Sequence, residues 1–235
     1  MITIYTLAYN EEVLIQFMID HYRERFPGCR IVVYDNLSTD NTVKIALAND
    51  CKVIPFDTNN QFQDRRHQEI KNSCWKIALT DWVLICDMDE LLDINAKELK
   101  AEENAKTTII RSEGYMMINL KDNLNLAGMK YGIRDANYDK SYLFNKRFIN
   151  EINYSIGCHG CNPIGTITYS AKRYKAYHYA SICENFSIEK RNKYQARISP
   201  ENLKNGWGSQ YFSALTPEQA HKDHLEERSM AARVR

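Results

Sequence analysis

Short apolar strands alternate with amphipathic helices through the first 90 residues, and this alternation constrains the fold more than any other feature of the chain. Four segments have a strand pattern, namely residues 2–8, 31–34, 52–56 and 82–86. Helix patterns lie between them, the first starting at Asn10 as a candidate N-cap and the others over roughly 42–49 and 64–79. This order is typical of a parallel sheet with helices on both faces, so we predict an α/β protein.

Composition narrows the range of functions. The chain has 235 residues, enough for one large domain or for a domain with a tail. Its formal net charge of +1 gives no electrostatic support for nucleic-acid binding. We find neither a signal-peptide pattern nor an apolar run of membrane-spanning length, so we expect a cytoplasmic protein without a transmembrane segment.

The second half of the chain has a less regular pattern. After a predicted helix over residues 96–105, further strands are expected over 107–111, 115–119, 141–144 and 166–169. Residues 121–139 are polar and rich in asparagine, which predicts a long loop of the kind that forms lids or binding surfaces. The chain becomes charged and helical from about residue 184, and its end predicts a solvated helix or a frayed tail.

An acidic motif, Asp87-Met88-Asp89-Glu90, follows the fourth predicted strand directly. Ligands of open α/β sheets bind beyond the carboxyl ends of the strands, which makes Asp87 and Asp89 candidate ligand-binding residues rather than simple turn or cap residues. Two close carboxylates are unfavourable unless a cation neutralises them. Mg²⁺ and Mn²⁺ prefer oxygen ligands and are commonly shared with substrate phosphates, so the motif predicts a site for a divalent metal and a phosphate group.

Two common nucleotide-binding loops are absent from the sequence. The chain has no G-x-G-x-x-G and no G-x-x-x-x-G-K-[ST] segment, which argues against a Rossmann dehydrogenase and a P-loop NTPase. The pair Cys158 and Cys161 has no second C-x-x-C to complete a structural zinc site. The odd total of 7 cysteines favours free thiols in a reducing compartment.

Motifs in a fixed order resemble glycosyltransferase family 2-like enzymes with the GT-A fold. They are Tyr9-Asn10-Glu11-Glu12, Asp35-Asn36-x-Ser38-x-Asp40-x-Thr42, Asp87-x-Asp89-Glu90, Gly157-Cys158-His159 and His178-Tyr179. The two histidine contexts resemble those of the subgroup with a D-x-D-E sequence. The resemblance covers roughly residues 1–195 and implies a GT-A-type Rossmann-like fold, with a mixed, mostly parallel central sheet flanked by helices.

The resemblance also implies an organisation and an activity. A single catalytic domain over residues 1–195 would have a nucleotide-sugar-binding half, 1–95, and an acceptor and metal half, 96–195, followed by a helical extension over 196–235. It would transfer a sugar from a nucleotide-diphosphate sugar, usually a UDP-sugar, to a hydroxyl of a glycan or glycolipid with a divalent metal, Mn²⁺ or Mg²⁺. Such a role fits polysaccharide biosynthesis.

Residue roles follow from the same resemblance. The implied donor-binding residues are Thr6, Ala8, Tyr9 and Glu11 for the base and ribose, Asp35 for the uridine moiety, and Asp87 with the adjacent Met88. Asp89 and His159 would ligate the metal, and Asp87 would contact the metal through water or the ribose. His178 is either a functional residue or a histidine packed in a strand.

The reaction needs cations for the leaving diphosphate and, if configuration is inverted, a carboxylate that takes the acceptor proton. The candidate cations are Lys140, Arg191, Lys193, and Arg65 or Arg66, which otherwise face solvent. For the base we consider Glu113, Asp135 and Asp139. Glu113 follows a strand and precedes Gly114, whereas Asp139 adjoins Lys140 and has an equally simple explanation as a salt-bridge or turn residue.

Two other enzyme classes fit the sequence less well. A nucleotidyltransferase would need a glycine-rich basic loop after the first strand, where this chain has Leu7-Ala8-Tyr9-Asn10. A phosphatase with an aspartate nucleophile would need D-x-D-x-[TV], where this chain has Leu91 in the last position. The non-enzymatic alternative is a nucleotide- or sugar-binding protein with the same pocket and no turnover.

Overall fold

The computed structural model describes residues 1–235 and confirms the predicted alternation in the first part of the chain. The elements there are β1 (Ile2–Ala8), α1 (Ile15–Arg25), β2 (Arg30–Asp35), α2 (Thr42–Ala48), β3 (Lys52–Pro55), α3 (Asp64–Ser73) and β4 (Trp82–Asp87). β-Branched and aliphatic residues dominate these strands, and β1 is buried along its whole length. This pattern is expected for strands that are covered on both faces.

The start of the first helix differs from the prediction. Asn10 does not cap it, because α1 begins at Ile15 with Leu14 as its N-cap. Asn10 instead has a positive φ of 53°. Its side-chain oxygen accepts a hydrogen bond of 2.7 Å from the backbone N–H of Thr39. The short polar side chain therefore ties the loop after β1 to the loop after β2, which Asn can do in this backbone region at low steric cost.

The second half contains more strand than predicted. Its elements are β5 (Glu90–Leu92), α4 (Ala96–Asn104), β6 (Ile109–Ile118), β7 (Tyr131–Arg134), β8 (Leu143–Asn145), β9 (Ile149–Glu151), β10 (Ile164–Gly165), β11 (Tyr169–Ser181), α5 (Glu184–Gln195), α6 (Pro200–Asn205), α7 (Pro217–Met230) and β12 (Ala232–Arg233). The two strands predicted over 107–119 are one strand, β6. Residues 121–139 are not all loop, because they include β7 and a short 3₁₀ helix, Ala136–Tyr138.

One mixed sheet unites the two halves. The strand order along it is β12-β7-β6-β8-β4-β1-β2-β3, with β11 paired to β5 and β6, and β9 and β10 form a separate small sheet. β1 is parallel to both β2 and β4, and β11 is parallel to β6. β8 runs antiparallel between β4 and β6. The predicted α/β class with a mostly parallel central sheet flanked by helices is therefore confirmed.

Alternate residues of the central strands pack on opposite faces of this sheet. Ile4 and Leu84, both 0% exposed, pack on the face that α1 covers. Tyr5 and Ile85 pack with Trp75 on the other face. Burial on both faces fixes the register of β1 against β4, because a shift of one residue would exchange the two sets of side chains.

The C-terminal segment is part of the same folded unit. Helix α7 packs against α5, and β12 adds an antiparallel strand to β7 at the sheet edge. His224 of α7 is 2% exposed, and its Nε2 lies 3.0 Å from Ser187 Oγ of α5. None of the helices combines the length and apolarity that a bilayer span requires. All seven cysteines are free.

Candidate functional site

A cavity opens at the carboxyl ends of β1 and β4, where parallel strands of an α/β sheet leave a ligand crevice. Ala8 and Tyr9 line it after β1, and the residues Asp87 to Glu90 line it after β4. Helix α5 and the segment that follows it contribute the other wall, with Lys190 and Arg197 among the lining residues. The cavity is therefore built from both ends of the sequence.

Strand pairing explains why the acidic motif faces this cavity. Asp87 ends β4 opposite Leu7 of β1, in the register set by the buried apolar residues of both strands. The chain then turns, and Glu90 begins β5, where it pairs with His178 of β11. Asp89 in the turn is held beside β11 because its carbonyl oxygen accepts a 2.7 Å hydrogen bond from the N–H of Tyr179.

Lysine side chains from α3 and from the segment before β8 neutralise Asp87 and Glu90. Lys71 Nζ of α3 lies 2.6 Å from Asp87 Oδ1. Lys140 Nζ lies 2.5 Å from Glu90 Oε1 and 3.8 Å from Asp87 Oδ2. Burial alone would raise the pKa of Asp87, but Lys71 and Lys140 outweigh it and lower that pKa to about 2. The same carboxylates raise the pKa of both lysines against the effect of burial, so Lys71 and Lys140 stay protonated beside them.

Asp89 is paired separately from Asp87. Its Oδ2 atom forms an ion pair with Lys190 of α5 and lies 3.1 Å from His178 Nε2. Burial opposes ionisation of Asp89, but Lys190 and His178 hold its pKa well below the usual range. The His178 ring is packed against Tyr138 at a centroid distance of 4.0 Å. His178 is therefore a cavity residue as well as a strand residue, and it positions the Asp89 carboxylate.

The loop after β1 is fixed by a lysine of α5. Lys193 Nζ donates hydrogen bonds to the carbonyl oxygens of Tyr9 (3.1 Å) and Asn10 (2.7 Å) and lies 3.0 Å from Glu11 Oε1. Tyr9 and Glu11, two of the residues that the family resemblance implies for donor binding, line the cavity. Thr6 lies beneath them, fully buried, and its Oγ1 has no hydrogen-bond partner.

Asp35 lies at the end of β2 and is 4% exposed. Its Oδ2 accepts a 3.1 Å hydrogen bond from the N–H of Ser38, whereas its buried Oδ1 has no partner. Asp35 itself does not line the cavity, but its neighbour Asn36 does. The Arg197 guanidinium covers the Tyr9 ring at 3.1 Å from the ring centroid. An unpartnered buried acceptor next to the cavity is a position where a ligand N–H group would gain a hydrogen bond.

The cavity lining does not include Glu113, Asp139 or Arg66. Glu113 and Asp139 both lie beside the Arg134 guanidinium, at 3.4 Å and 2.5 Å. Arg66 is on the outer face of α3, where it pairs with Glu69 at 3.0 Å. These side chains have surface partners, and their proposed roles as bases or phosphate ligand remain predictions without support from the geometry.

Of the other predicted cations, only Lys140 lines the cavity. Met88 of the acidic motif, a predicted donor-binding residue, lines it as well. Lys193 acts on the loop backbone, as described above. Arg191 lies on the outer side of α5 and donates a hydrogen bond of 3.2 Å to the carbonyl oxygen of Ser213. The sequence therefore identified one lysine that reaches the acidic motif, Lys140, but not Lys71 or Lys190.

The predicted metal ligands Asp87, Asp89 and His159 all line the same cavity. No three His, Cys, Asp or Glu side chains lie close enough together to hold a metal ion as they stand. His159 Nδ1 is 2.9 Å from the carbonyl oxygen of Asn137. Nε2 is therefore the ring nitrogen that is left to bind a metal ion. The residues nevertheless fit a divalent cation in one respect, since the ammonium group of Lys190 already occupies a cation position on Asp89.

Several residues that line the cavity were not predicted from the sequence. Asp64, His67 and Lys71 of α3 all line the cavity. They are three and four residues apart, so they lie on one face of the helix. Polar residues occupy nearly every position of α3, so no periodicity in the sequence distinguishes this face from the others. No local pattern marks Lys190 either, because its partner Asp89 is 101 residues away in the sequence.

Comparison with known families gives one match. Residues 3–108 match the model described as glycosyl transferase family 2. The matched stretch is a little under half of the chain, contains β1 to α4 with the acidic motif, and ends directly before β6. No curated protein matches this chain.

Solved structures with a similar fold include TarS from S. aureus. The fragment 1–349 of TarS has a TM-score of 0.45 and 17% sequence identity, and the match covers 94% of this chain and 68% of that one. Glucosyl-3-phosphoglycerate synthase from Mycobacterium tuberculosis, solved with Mn²⁺, UDP and glucosyl-3-phosphoglycerate, has a TM-score of 0.36 and 19% identity, covering 48% of this chain and 43% of that one. At these TM-scores the likeness carries no information on the substrate of this chain.

Proposed function

We propose that this protein is a metal-dependent glycosyltransferase that transfers a sugar from a UDP-sugar to a hydroxyl group of a glycan or glycolipid. One observation carries the proposal: Lys71, Lys140 and Lys190 converge on the acidic motif inside the cavity at the carboxyl ends of β1 and β4. The match of residues 3–108 to glycosyl transferase family 2 supports it, because that stretch contains the motif.

The lysines suit a diphosphate leaving group. As the bond to the sugar breaks, negative charge grows on the diphosphate, and fixed cations that are shielded from water stabilise this charge strongly. The side chains of Lys71, Lys140 and Lys190 are 6%, 5% and 10% exposed. Their pKa values are raised by the neighbouring carboxylates although burial opposes this, so they stay protonated at neutral pH.

Asp87, Asp89 and His159 would hold Mn²⁺ or Mg²⁺ in this cavity. When bound, the ion would neutralise charge on the diphosphate. The carboxylate oxygens suit hard divalent ions, and a histidine nitrogen suits Mn²⁺ better than Mg²⁺. The roles of the protein side chains are to keep both carboxylates ionised and to hold them at the end of β4.

The donor nucleotide is placed by the loops after β1 and β2. Tyr9 lines the cavity, and Asp35 has an unpartnered buried oxygen beside it. Uracil carries a ring N–H that can donate a hydrogen bond to a carboxylate oxygen. Asp35 Oδ1 has no such donor within the protein. This chemistry favours a uridine nucleotide as the donor.

Asp64 is the cavity carboxylate that best fits a general base. Its Oδ2 accepts a 2.9 Å hydrogen bond from Asn202 Nδ2, while Oδ1 has no partner. Burial, with an added contribution from the charge of Asp87, raises its pKa to about 6 in spite of Lys71. A base with a pKa near the working pH takes up a proton efficiently and is still ionised beforehand.

The test is calorimetric titration of UDP with and without Mn²⁺, followed by an assay of UDP release from UDP-sugars with Mn²⁺. We expect binding that requires the metal and is lost in Asp89→Ala, and metal-dependent release of UDP from at least one UDP-sugar. Binding without any turnover would instead support a nucleotide-binding protein. Absence of UDP binding under both conditions would contradict the proposal.

A further inference from the structure

We propose that Lys190 is a built-in counter-ion for Asp89, that a divalent cation displaces it, and that the displaced ammonium group then binds the diphosphate of the donor. This inference rests on the proposed function, because it requires both a metal ion and a nucleotide diphosphate to enter the cavity. It assigns to Lys190 a role that couples the two binding events.

The contacts of Lys190 show which anion it would leave when a metal ion binds. Its ammonium group forms an ion pair with Asp89 Oδ2, and Asp89 is the only carboxylate within salt-bridge distance of it. The side chains of Lys190 and Asp89 are 10% and 13% exposed. A buried charge without a partner is strongly unfavourable, so each group needs the other while the site is free. A metal ion on Asp89 would leave Lys190 in need of a new anion.

Lys190 differs in position from the other two lysines. Lys140 and Glu90 form a pair in which both side chains are at most 5% exposed, and Lys140 also lies near Asp87. Lys190 instead extends from α5, on the wall of the cavity that the C-terminal part of the chain provides. Its four-carbon side chain allows the ammonium group to move from Asp89 to a phosphate while the helix stays in place.

The size of the cavity is consistent with side-chain movement. Its volume is about 160 Å³. Pockets for small-molecule ligands typically have roughly 300–1,000 Å³. A nucleotide sugar is larger than this volume, so it would either extend out of the open cavity or displace side chains that line it, and Lys190 is one of these side chains.

This exchange makes Lys190 oppose metal binding when nucleotide is absent and bind the phosphate when nucleotide is present. Without nucleotide, a metal ion must displace Lys190 and leave its charge without a partner, which weakens metal binding. With a nucleotide diphosphate present, the freed ammonium group gains a phosphate partner. Metal and nucleotide therefore strengthen each other's binding, as two ligands must when they share one coupling free energy.

The decisive experiment measures Mn²⁺ binding to the full chain by the electron paramagnetic resonance signal of free Mn²⁺, with and without UDP. Without UDP, we expect Lys190→Met to bind Mn²⁺ about tenfold more tightly than the natural protein, because the competing cation is gone. With Mn²⁺ present, we expect the same variant to bind UDP about tenfold more weakly. Lys190→Arg keeps the positive charge and should retain weak Mn²⁺ binding without UDP.

Arg191→Met is the matched control, because it removes one positive charge from the neighbouring position of α5. Arg191 contacts Ser213 and does not touch the acidic motif. If Lys190→Met binds Mn²⁺ no more tightly than Arg191→Met without UDP, the inference is wrong, while metal-dependent UDP binding of the natural protein would still support the proposed function. If no variant binds Mn²⁺ even with UDP, the metal-dependent function itself is contradicted.

Discussion

At the residue scale, the environment of Asp64 gives one carboxylate a property that its neighbours lack. Lysines keep Asp87 and Asp89 ionised with low pKa values. Asp64 lies in the same cavity, but burial dominates its environment and raises its pKa to about 6. Carboxylates with such different pKa values can take different roles in one reaction.

Replacement of Asp64 by Asn tests its role as a base. The amide keeps the size of the side chain but cannot accept a proton, so we expect kcat to fall by about 10²–10⁴-fold with little change in UDP affinity. In the natural protein, kcat/KM should rise with pH through about 6, because the base must be deprotonated. Steady-state kinetics across pH 5–8 measure both effects, and the pH limb should disappear in the variant.

The two carboxylates predicted from the sequence provide the control. Glu113→Gln and Asp139→Asn alter residues that are paired with Arg134 away from the cavity. We expect both variants to keep most of their kcat. A large loss of kcat in Glu113→Gln, with Asp64→Asn remaining active, would restore the sequence-based assignment and contradict the role of Asp64.

At the end of β4, the residue-level predictions rest on a local reason. Asp87 and Asp89 were identified because an apolar strand ends directly before them, and this neighbourhood in the sequence determines where they point. Lys71 and Lys190 were missed because their importance depends on partners brought close only by the fold. The sequence shows a lysine on a helix, which is ordinarily a solvated residue, and gives no sign of its buried ion pair.

At the scale of elements, the strands of the first half were predictable and those of the second half only in part. The strands β1, β2 and β4 are apolar and short, and turns with Gly, Asn or Asp separate them from the helices. In contrast, β11 is 13 residues long and begins with exposed charged residues such as Lys172 and Arg173. These residues conceal the strand pattern, and pairing with β6 stabilises the strand despite its composition.

Helix α5 is joined to the loop after β1 by Lys193, and this contact can be tested. Glu11 is 6% exposed and depends on Lys193 for a compensating charge. We expect Lys193→Met to lower the free energy of unfolding by about 3 kcal/mol, because it leaves a buried carboxylate unpaired and two carbonyl groups without their donor. Urea denaturation followed by circular dichroism measures this change.

A double variant separates the ion pair from the other contacts of Lys193. When Glu11→Gln is combined with Lys193→Met, no buried charge is left behind, and we expect part of the lost stability to return. Additive losses in the two single variants and the double variant would show that the pair contributes nothing, and α5 would then be held by its packing alone.

At the scale of the whole molecule, the cavity depends on the joining of distant segments by one sheet. The acidic motif lies between residues 87 and 90, whereas its partners come from α3, α5 and the segment before β8. β8 and β11 link the second half to β4 and β5. The site therefore forms only when the chain folds as one unit, and the free energy of unfolding sets the fraction of molecules that contain it.

Two histidines, one buried and one partly buried, make that global stability depend on pH. His21 is 5% exposed, and its Nε2 lies 3.0 Å from the carbonyl oxygen of Leu92. Burial, together with the charge of Arg25, lowers its pKa to about 3, and burial lowers that of His67 to about 4. Below pH 6.5 the unfolded chain takes up protons at these residues and the folded protein does not, so stability falls as pH decreases.

The contribution of His21 can be isolated with His21→Gln. Between pH 7 and pH 5, a histidine whose pKa falls from 6.5 to about 3 on folding reduces the free energy of unfolding by about 2 kcal/mol. Asp64 acts in the opposite direction over this range because its pKa is raised, but it is present in both proteins and cancels in their difference. We therefore expect the natural protein to lose about 2 kcal/mol more than His21→Gln in urea denaturation at the two pH values. Equal losses in the natural protein and His21→Gln would mean that His21 is protonated as easily in the folded protein as in the unfolded chain.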